Sequence, residues 1–284
     1  MHRRLVESGG GGISVRGLGA SRAGEMRITR FLRNSAVSTG EILATAADRT
    51  ASLVAGRHIL AIQDTTSVRV AEDGTGLVMH PTIAVDRDGG ALLGLVHAEM
   101  LERTGGLRGQ RKQRGFNDKQ SRRWLTGCEH AGELLTAGAA SVTVVADREG
   151  DIYEDFALRP AGVDLLIRAG QDRRLAGGGK LFAHAAALPE LGHIQVDIAA
   201  APGRSARQAD LVLRAGEVTI ERPGSRNNGS GLPKTVTLTV VEAIELNPPP
   251  KAVQAHWRLL TTRHISGFED ARDTIELYRQ RGTI

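Results

Sequence analysis

The stretch Arg57-His-Ile-Leu-Ala-Ile-Gln-Asp-Thr-Thr66 constrains the fold more than any other. A short apolar run, Ile59 to Ile62, ends in an acid. Runs of this length with β-branched residues read as buried strands. A carboxylate at the end of such a strand sits at the edge of the core, half dry and rigidly aimed, where a metal could use it. Alone, an Asp after a strand reads more often as a turn-former or a helix cap. A second copy changes that balance: Ser141-Val-Thr-Val-Val-Ala-Asp147 repeats the arrangement 83 positions later.

The chain around these runs alternates in character. Gly9 to Gly12 are four glycines in a row, with Gly17, Gly19 and Gly24 after them, so packing is expected only from about Met26 and residues 1–24 are expected to be disordered. Helical spacing follows at Glu25–Asn34 and Thr39–Ala55, with Ser38 or Thr39 as a cap. Strands are expected at 58–64, 78–86 and 90–99, the last two joined by the hairpin signal Asp88-Gly89-Gly90. A helix over 119–138 carries Trp124, Leu125, Cys128, Leu134 and Leu135. Next come a strand at 141–147, a helix at 151–158 and a strand at 163–169. A three-strand meander followed by helix–strand–helix–strand is an α/β layer pattern with a mixed sheet and flanking helices.

From about 172 to 255 helical periodicity fades. Runs rich in β-formers appear at 193–198, 209–214, 217–221 and 234–242, which reads as an inserted antiparallel β subdomain. A strand at 256–262 and a helix from Gly267 onward return to the α/β style, with Ser266 and Glu269 as a capping box. The expected organisation is a helical N-terminal region, 1–55; a core, 56–171; the β insertion, 172–255; and the rest of the core, 256–284.

Composition narrows the class of function. A hydrophobic fraction of 40% supports a full core, and the net charge is +5. The bases are nearly all arginine, since Lys112, Lys119, Lys180, Lys234 and Lys251 are the lysines. Arginine grips phosphate with a planar fork, although GC-rich coding also favours Arg, Ala and Gly together. A single cysteine, Cys128, excludes an internal disulfide and any cysteine metal cluster and is expected to fill core space. No apolar run is long enough for a membrane span and no signal-peptide region is visible, so no membrane partner and a cytoplasmic location are expected.

Two strand-end acids that meet at one rim suit Mg²⁺ or Mn²⁺, hard cations that take carboxylate oxygens. On the last helix, Tyr278 and Arg281 are three apart on one face, and a residue four beyond Arg281 would share it. Asp-Thr-Thr at 64–66, Asp-Arg-Glu-Gly-Asp-Ile-Tyr at 147–153 and Tyr-x-x-Arg at 278–281 resemble the DDE transposases of bacterial insertion sequences, in the subgroup with signature Y-x₂-R-x₃-E-x₆-K. The resemblance runs from about residue 25 to the final residue. It implies a ribonuclease-H-like core with a β insertion before the third acid. It also implies divalent-metal phosphoryl transfer on transposon-end and target DNA, carried out by a homodimer.

Carried over residue by residue, Asp64 and Asp147 are implied as catalytic metal ligands for Mg²⁺ or Mn²⁺, and Tyr278 and Arg281 as DNA-contacting residues. Arg168, at a strand end, resembles a family arginine that meets DNA, and Trp257 resembles a residue that stacks on a flipped base. Trp257 also reads as a half-buried strand residue. The signature glutamate would follow one residue after Ile284, so a truncated, impaired transposase is expected. Asp151 is a rival for Asp147 and is expected instead to cap a helix. Arg103 to Arg123 holds eight bases against Asp118, including Lys119, Arg122 and Arg123, and reads either as a DNA-tracking segment or as a solvated surface. His80 and His97 are expected to be hydrogen-bonded structural residues. The alternatives are a DNA-binding remnant that inhibits intact relatives, or another nuclease on the same core.

Overall fold

The computed structural model describes residues 14–70, 76–103, 121–200, 205–224, 231–250 and 252–283. Met1–Ala46 forms one compact unit and Ala47–Ile284 a second. In the first, α1 (Val15–Gly19) and α2 (Arg22–Leu32) begin earlier than the glycine content implies. Ser14 and Ser21 explain the early start: each hydroxyl accepts from a backbone N–H three residues on, at 3.1 Å, which satisfies a donor left open at a helix start. None of the residues of α1 or α2 is buried. Gly9 to Gly12 lie outside the described residues. Helix α3 (Thr39–Ala51) leads into the second unit, with Ser38 accepting from Glu41 N at 3.1 Å.

The second unit is mixed α/β. Its strands are β1 (His58–Gln63), β2 (Thr66–Val70), β3 (Gly76–Asp86), β4 (Leu92–Arg103), β5 (Ser141–Ala146), β6 (Val163–Arg168), β7 (Glu190–Ile198), β8 (Arg207–Glu221), β9 (Thr235–Glu245) and β10 (His256–Thr261). The helices are α4 (Arg122–Thr136), α5 (Tyr153–Leu158), α6 (Leu181–Ala187) and α7 (Phe268–Gln280). The strands join in one mixed sheet, in the order β2-β3-β1-β5-β6-β10-β9-β8-β7, with β4 on the other edge of β3. β1 runs antiparallel to β3 and parallel to β5, and β5 runs parallel to β6.

The expected insertion is antiparallel, but it is no subdomain apart. β9 pairs with β10 from Thr239 to Ile244, so β7, β8 and β9 extend the central sheet. The runs 209–214 and 217–221 are one strand, β8, held continuous by its pairing with β9. The capping box at Ser266 does not form. Gly267 stands at the cap position, and Ser266 N donates to the Asp270 carboxylate at 2.8 Å instead.

Both faces of the central strands are covered, which is why β1 and β5 read as continuous apolar runs rather than alternating ones. One face carries Ile59, Ala61, Val142, Val144, Ala146, Leu165 and Ile167 and packs against Trp124 and Cys128 of α4, Phe156 of α5 and Leu181 of α6. The other carries Leu60, Ile62, Val145, Leu166 and Leu259 and packs against Ala271, Ile275 and Tyr278 of α7. Cys128 fills core space as expected, and burial pushes its thiol up to about 12. Among the described residues no helix is long and apolar enough to cross a membrane.

Gly150 lies where this core meets the turn after β5. A Cβ there would come to 2.6 Å from Ala146 Cβ and 3.0 Å from the Trp124 ring. Overpacking of this kind costs roughly 1–3 kcal/mol. Gly150→Ala is therefore expected to lower the unfolding free energy by that amount, read as a lower denaturant midpoint at unchanged slope, and a midpoint equal to that of the parent would contradict the packing described.

Candidate functional site

The register of two strands builds the site. β1 and β5 are parallel neighbours, paired from His58↔Ser141 to Ile62↔Val145. The same 83-residue offset carries on to Asp64 and Asp147, so the two acids leave the sheet level with each other on adjacent strands, which lie about 4.8 Å apart. Alternation sets their face. Leu60, Ile62 and Val145 point to the layer under α7, and Asp64 and Asp147 follow two residues after Ile62 and Val145.

Arg281, one residue past α7, closes this rim. Its Nη2 lies 3.0 Å from Asp64 Oδ2 and 3.5 Å from Asp147 Oδ2. The two carboxylate oxygens are therefore within the sum of those distances, 6.5 Å, of each other. Each acid is oriented by a local bond through its other oxygen. Asp64 Oδ1 accepts from Thr65 N and Asp147 Oδ1 from Glu149 N, both at 2.8 Å. Asp64 is 61% exposed and Asp147 32% exposed, so both remain open to solvent on one side.

Tyr278 and Arg168 meet beside them. Tyr278 of α7 is buried against the sheet, and burial raises its phenol pKa while the charges of Arg168 and Arg281 oppose the rise. Burial lowers the pKa of Arg168, with a hydrogen bond to Tyr278 acting against it. Arg168 Nη2 also donates to the His256 carbonyl at 3.0 Å. Trp257 is half-buried in the same layer as Tyr278, opposite Ala243 of β9.

The basic segment divides. Lys119 lies outside the described residues, as do residues 104–118. Arg122 pairs with Glu129 of its own helix at 2.9 and 3.0 Å, the solvated arrangement. Arg123 is mostly buried, within 3.4 Å of Thr65 Oγ1 and 3.6 Å of Glu149. It braces the residues next to both acids rather than tracking along a surface. The sequence offered no sign of that role, which depends on the packing of α4 over the strand ends.

Asp151 is not a helix cap. Ile152 holds that position, and the Asp151 side chain is fully buried against Arg173. Its Oδ2 accepts from Gly170 N and Gln171 N at 2.8 and 2.7 Å, and its Oδ1 from Arg173 Nε at 3.0 Å. This is a clasp on the segment after β6. Asp147, not Asp151, is the acid that shares Arg281 with Asp64. Glu149 is exposed and paired with Arg123.

On the opposite face of the sheet from Trp257 is a second polar group that the sequence did not reveal. Glu242, 1% exposed, accepts from Arg258 Nε at 2.6 Å and bonds His256 Nε2 at 2.9 Å, with Arg214 at 3.7 Å. Burial pushes this carboxyl up, but the bonds from His256 and Arg258 outweigh it and hold the pKa below its ordinary value.

Among the described residues, no group of three or more His, Cys, Asp or Glu is arranged to hold a metal ion. The described rim offers two carboxylates, with a guanidinium between them. His80 and His97 have structural partners: His80 Nδ1 with Thr65 Oγ1 at 2.9 Å and its ring edge-on to Trp124, and His97 stacked on His130 at 4.0 Å. Burial, helped by the charges of Arg123 and His97, lowers the His80 pKa to about 3. The folded chain thus resists a proton that the unfolded chain takes up near 6.5. This group's contribution to stability is present above that pH and is lost as pH falls from about 6.5 towards 3. A ring titration by NMR is expected to find His80 neutral at pH 5, and a midpoint above 6 would contradict the burial.

Compared with protein-family models, the sequence matches none.

Proposed function

We propose that this chain is a DNA transposase of the DDE kind, acting on DNA phosphodiesters with Mg²⁺ or Mn²⁺. The observation that carries the reading is the level pair Asp64 and Asp147 on adjacent parallel strands, sharing one cation, Arg281 Nη2, at 3.0 and 3.5 Å. The strand order β4-β3-β1-β5-β6, antiparallel on one side of β1 and parallel on the other, supports a ribonuclease-H-like core. The additional strands enter between β6 and β10, where the resemblance calls for an insertion.

The donor set fits a hard divalent ion in part. Asp64 and Asp147 would hold it, and the guanidinium already seated between them marks the spot as favourable to positive charge. A bound ion of that kind would stabilise charge developing on a phosphodiester in displacement. The chain's own groups do the rest. Arg281 and Arg168 offer guanidinium forks to phosphate oxygens, and Arg168 is held by its bonds to Tyr278 and the His256 carbonyl. Trp257 presents a ring for base stacking, a contact worth about 1–3 kcal/mol.

One observation favours a second reading, a DNA-binding chain without catalysis. Arg281 already occupies the space between both acids and pairs with each of them. A nicking assay separates the two. Purified chain is incubated with plasmid DNA and Mn²⁺, alongside the Asp64→Asn and Asp147→Asn variants and a chain lengthened by one glutamate. Metal-dependent nicks that vanish in both variants and increase in the lengthened chain are expected. Nicking indifferent to both acids would reject the catalytic reading, and salt-sensitive DNA binding with no nicking in the lengthened chain would select the second.

A further inference from the structure

A pocket of about 260 Å³ opens at the strand-end rim beside the acid pair, lined by Arg148, Arg168, Gly170, Phe182, His256 and Arg258. Its volume is below the range of cavities for drug-sized ligands, so it suits a compact group. Three guanidiniums and an imidazole converge on it. Glu242 offsets one of those charges through Arg258 and His256, and Asp147, next to Arg148, is already shared with Arg281. An excess of positive charge is left facing the pocket.

Two of the arginines are held before any ligand arrives. Arg258 is tied through Nε to buried Glu242 and stacks on the Phe182 ring at 4.5 Å. Arg168 donates to the His256 carbonyl. Fixed forks bind without the ordering cost that free surface arginines incur. Gly170 keeps one wall open: a Cβ there would come to 2.9 Å from the Arg148 carbonyl oxygen and 3.1 Å from its Cβ. Arg148 itself is exposed at the mouth. His256 and Arg258 alternate with Trp257 along β10 and so enter the pocket from the opposite face of the sheet, while Arg168, paired with Leu259 and bonded to Tyr278, reaches it from the α7 side.

We propose that this pocket is a phosphate subsite that seats one backbone phosphate of a nucleic-acid strand whose reacting phosphodiester lies at Asp64 and Asp147. The proposal rests on the DNA reading for its choice of ligand, and on the pocket's own charge and fixed forks for the rest. A strand held here by one phosphate and at the acid pair by another has its direction and register set by two points on one rim.

The test is fluorescence anisotropy with a labelled single-stranded oligonucleotide, measured across a salt series with and without Mn²⁺. Arg148→Ala, which removes the exposed fork without disturbing Glu242, is expected to weaken binding about five- to tenfold and to reduce the salt slope by about 0.7, the value for one contact to a single strand. Phe182→Leu, which loosens Arg258, is expected to weaken it about threefold. Arg272→Ala, on the exposed side of α7, removes the same charge elsewhere and is expected to change affinity by less than about twofold. Equal losses in Arg148→Ala and Arg272→Ala would overturn the subsite. Competition with a nucleoside monophosphate separates the sources of phosphate: binding of the mononucleotide as tight as that of the oligonucleotide, and equally sensitive to Arg148→Ala, would overturn the strand assignment. The metal reading is scored apart from this, because Asp64→Asn with Asp147→Asn is expected to abolish Mn²⁺ binding and leave the Arg148 effect in place.

Discussion

Replacing Arg173 with alanine is expected to lower the unfolding free energy by about 3–5 kcal/mol, the cost of leaving a buried charge without its partner. The Asp151 side chain is fully buried and Arg173 is 6% exposed, so water cannot take over the lost contact. Two backbone donors, Gly170 N and Gln171 N, remain on the carboxylate, which draws the loss towards the lower end of that range. Arg173 also donates to the Asp151 carbonyl at 2.8 Å and lies over the Phe156 ring at 6.0 Å. The truncation therefore removes packing along with charge. Asp151→Asn keeps the shape and strands the guanidinium instead, and is expected to cost about 1–3 kcal/mol. Denaturant unfolding followed by circular dichroism measures both, and a double-mutant cycle isolates the pair. Both variants are expected to bind Mn²⁺ as the parent does at temperatures where they are folded. Lost metal affinity in a folded Asp151→Asn chain would move the site from Asp147 to Asp151.

That clasp marks the limit of what the sequence could convey. Asp147 and Asp151 are four residues apart; Asp147 follows the β5 run directly and is read as the ligand, but nothing local shows that Asp151 is buried rather than a helix cap. Arg173 and the backbone of 170–171 meet Asp151 only through the fold. The central strands were legible because both faces are buried, which writes an apolar run directly into the chain. The repeated strand-then-acid pattern carried the register as well, since its 83-residue spacing equals the offset of the β1–β5 pairing.

The misses have physical causes. β2 follows directly after Asp64 and Thr65 and is five residues long, and with Val68 54% exposed its brief Ser-Val-Arg-Val alternation does not mark a buried face. α6 is one short alanine-rich element after Gly177 to Gly179, recognisable only from Leu181 and Ala185, four apart and both buried. β8 looked broken at Ala215-Gly216. The glycine is there because Leu188 would lie 2.7 Å from a Cβ, while pairing to β9 keeps the strand whole. Arg123, Arg148 and Arg258 could not be told from other arginines, because each takes its role from a neighbour distant in sequence.

The acid pair itself yields the other large effect. Asp64→Asn together with Asp147→Asn is expected to weaken Mn²⁺ binding at least about 100-fold, beyond what loss of outer-shell partners alone produces. The fold should survive, since Asp64 is exposed on its outer side and the central strands are held by the apolar layers beneath. Arg281→Ala acts in the opposite direction. Its guanidinium competes with a divalent ion for the same two oxygens, at 3.0 and 3.5 Å. Exposed ion pairs contribute about 0.2–1 kcal/mol, so removing this one is expected to tighten Mn²⁺ binding roughly two- to fivefold while weakening oligonucleotide binding, because a phosphate-facing fork is lost. A structural role for Arg281 would instead loosen both together. Titration of free Mn²⁺ by electron paramagnetic resonance, paired with the anisotropy assay, reads the two affinities on the same samples. Opposite signs for metal and DNA are the signature of a cation that holds the acids in register and yields to the ion, and a double Asp→Asn variant that still binds Mn²⁺ within about twofold of the parent would remove these acids from the metal site altogether.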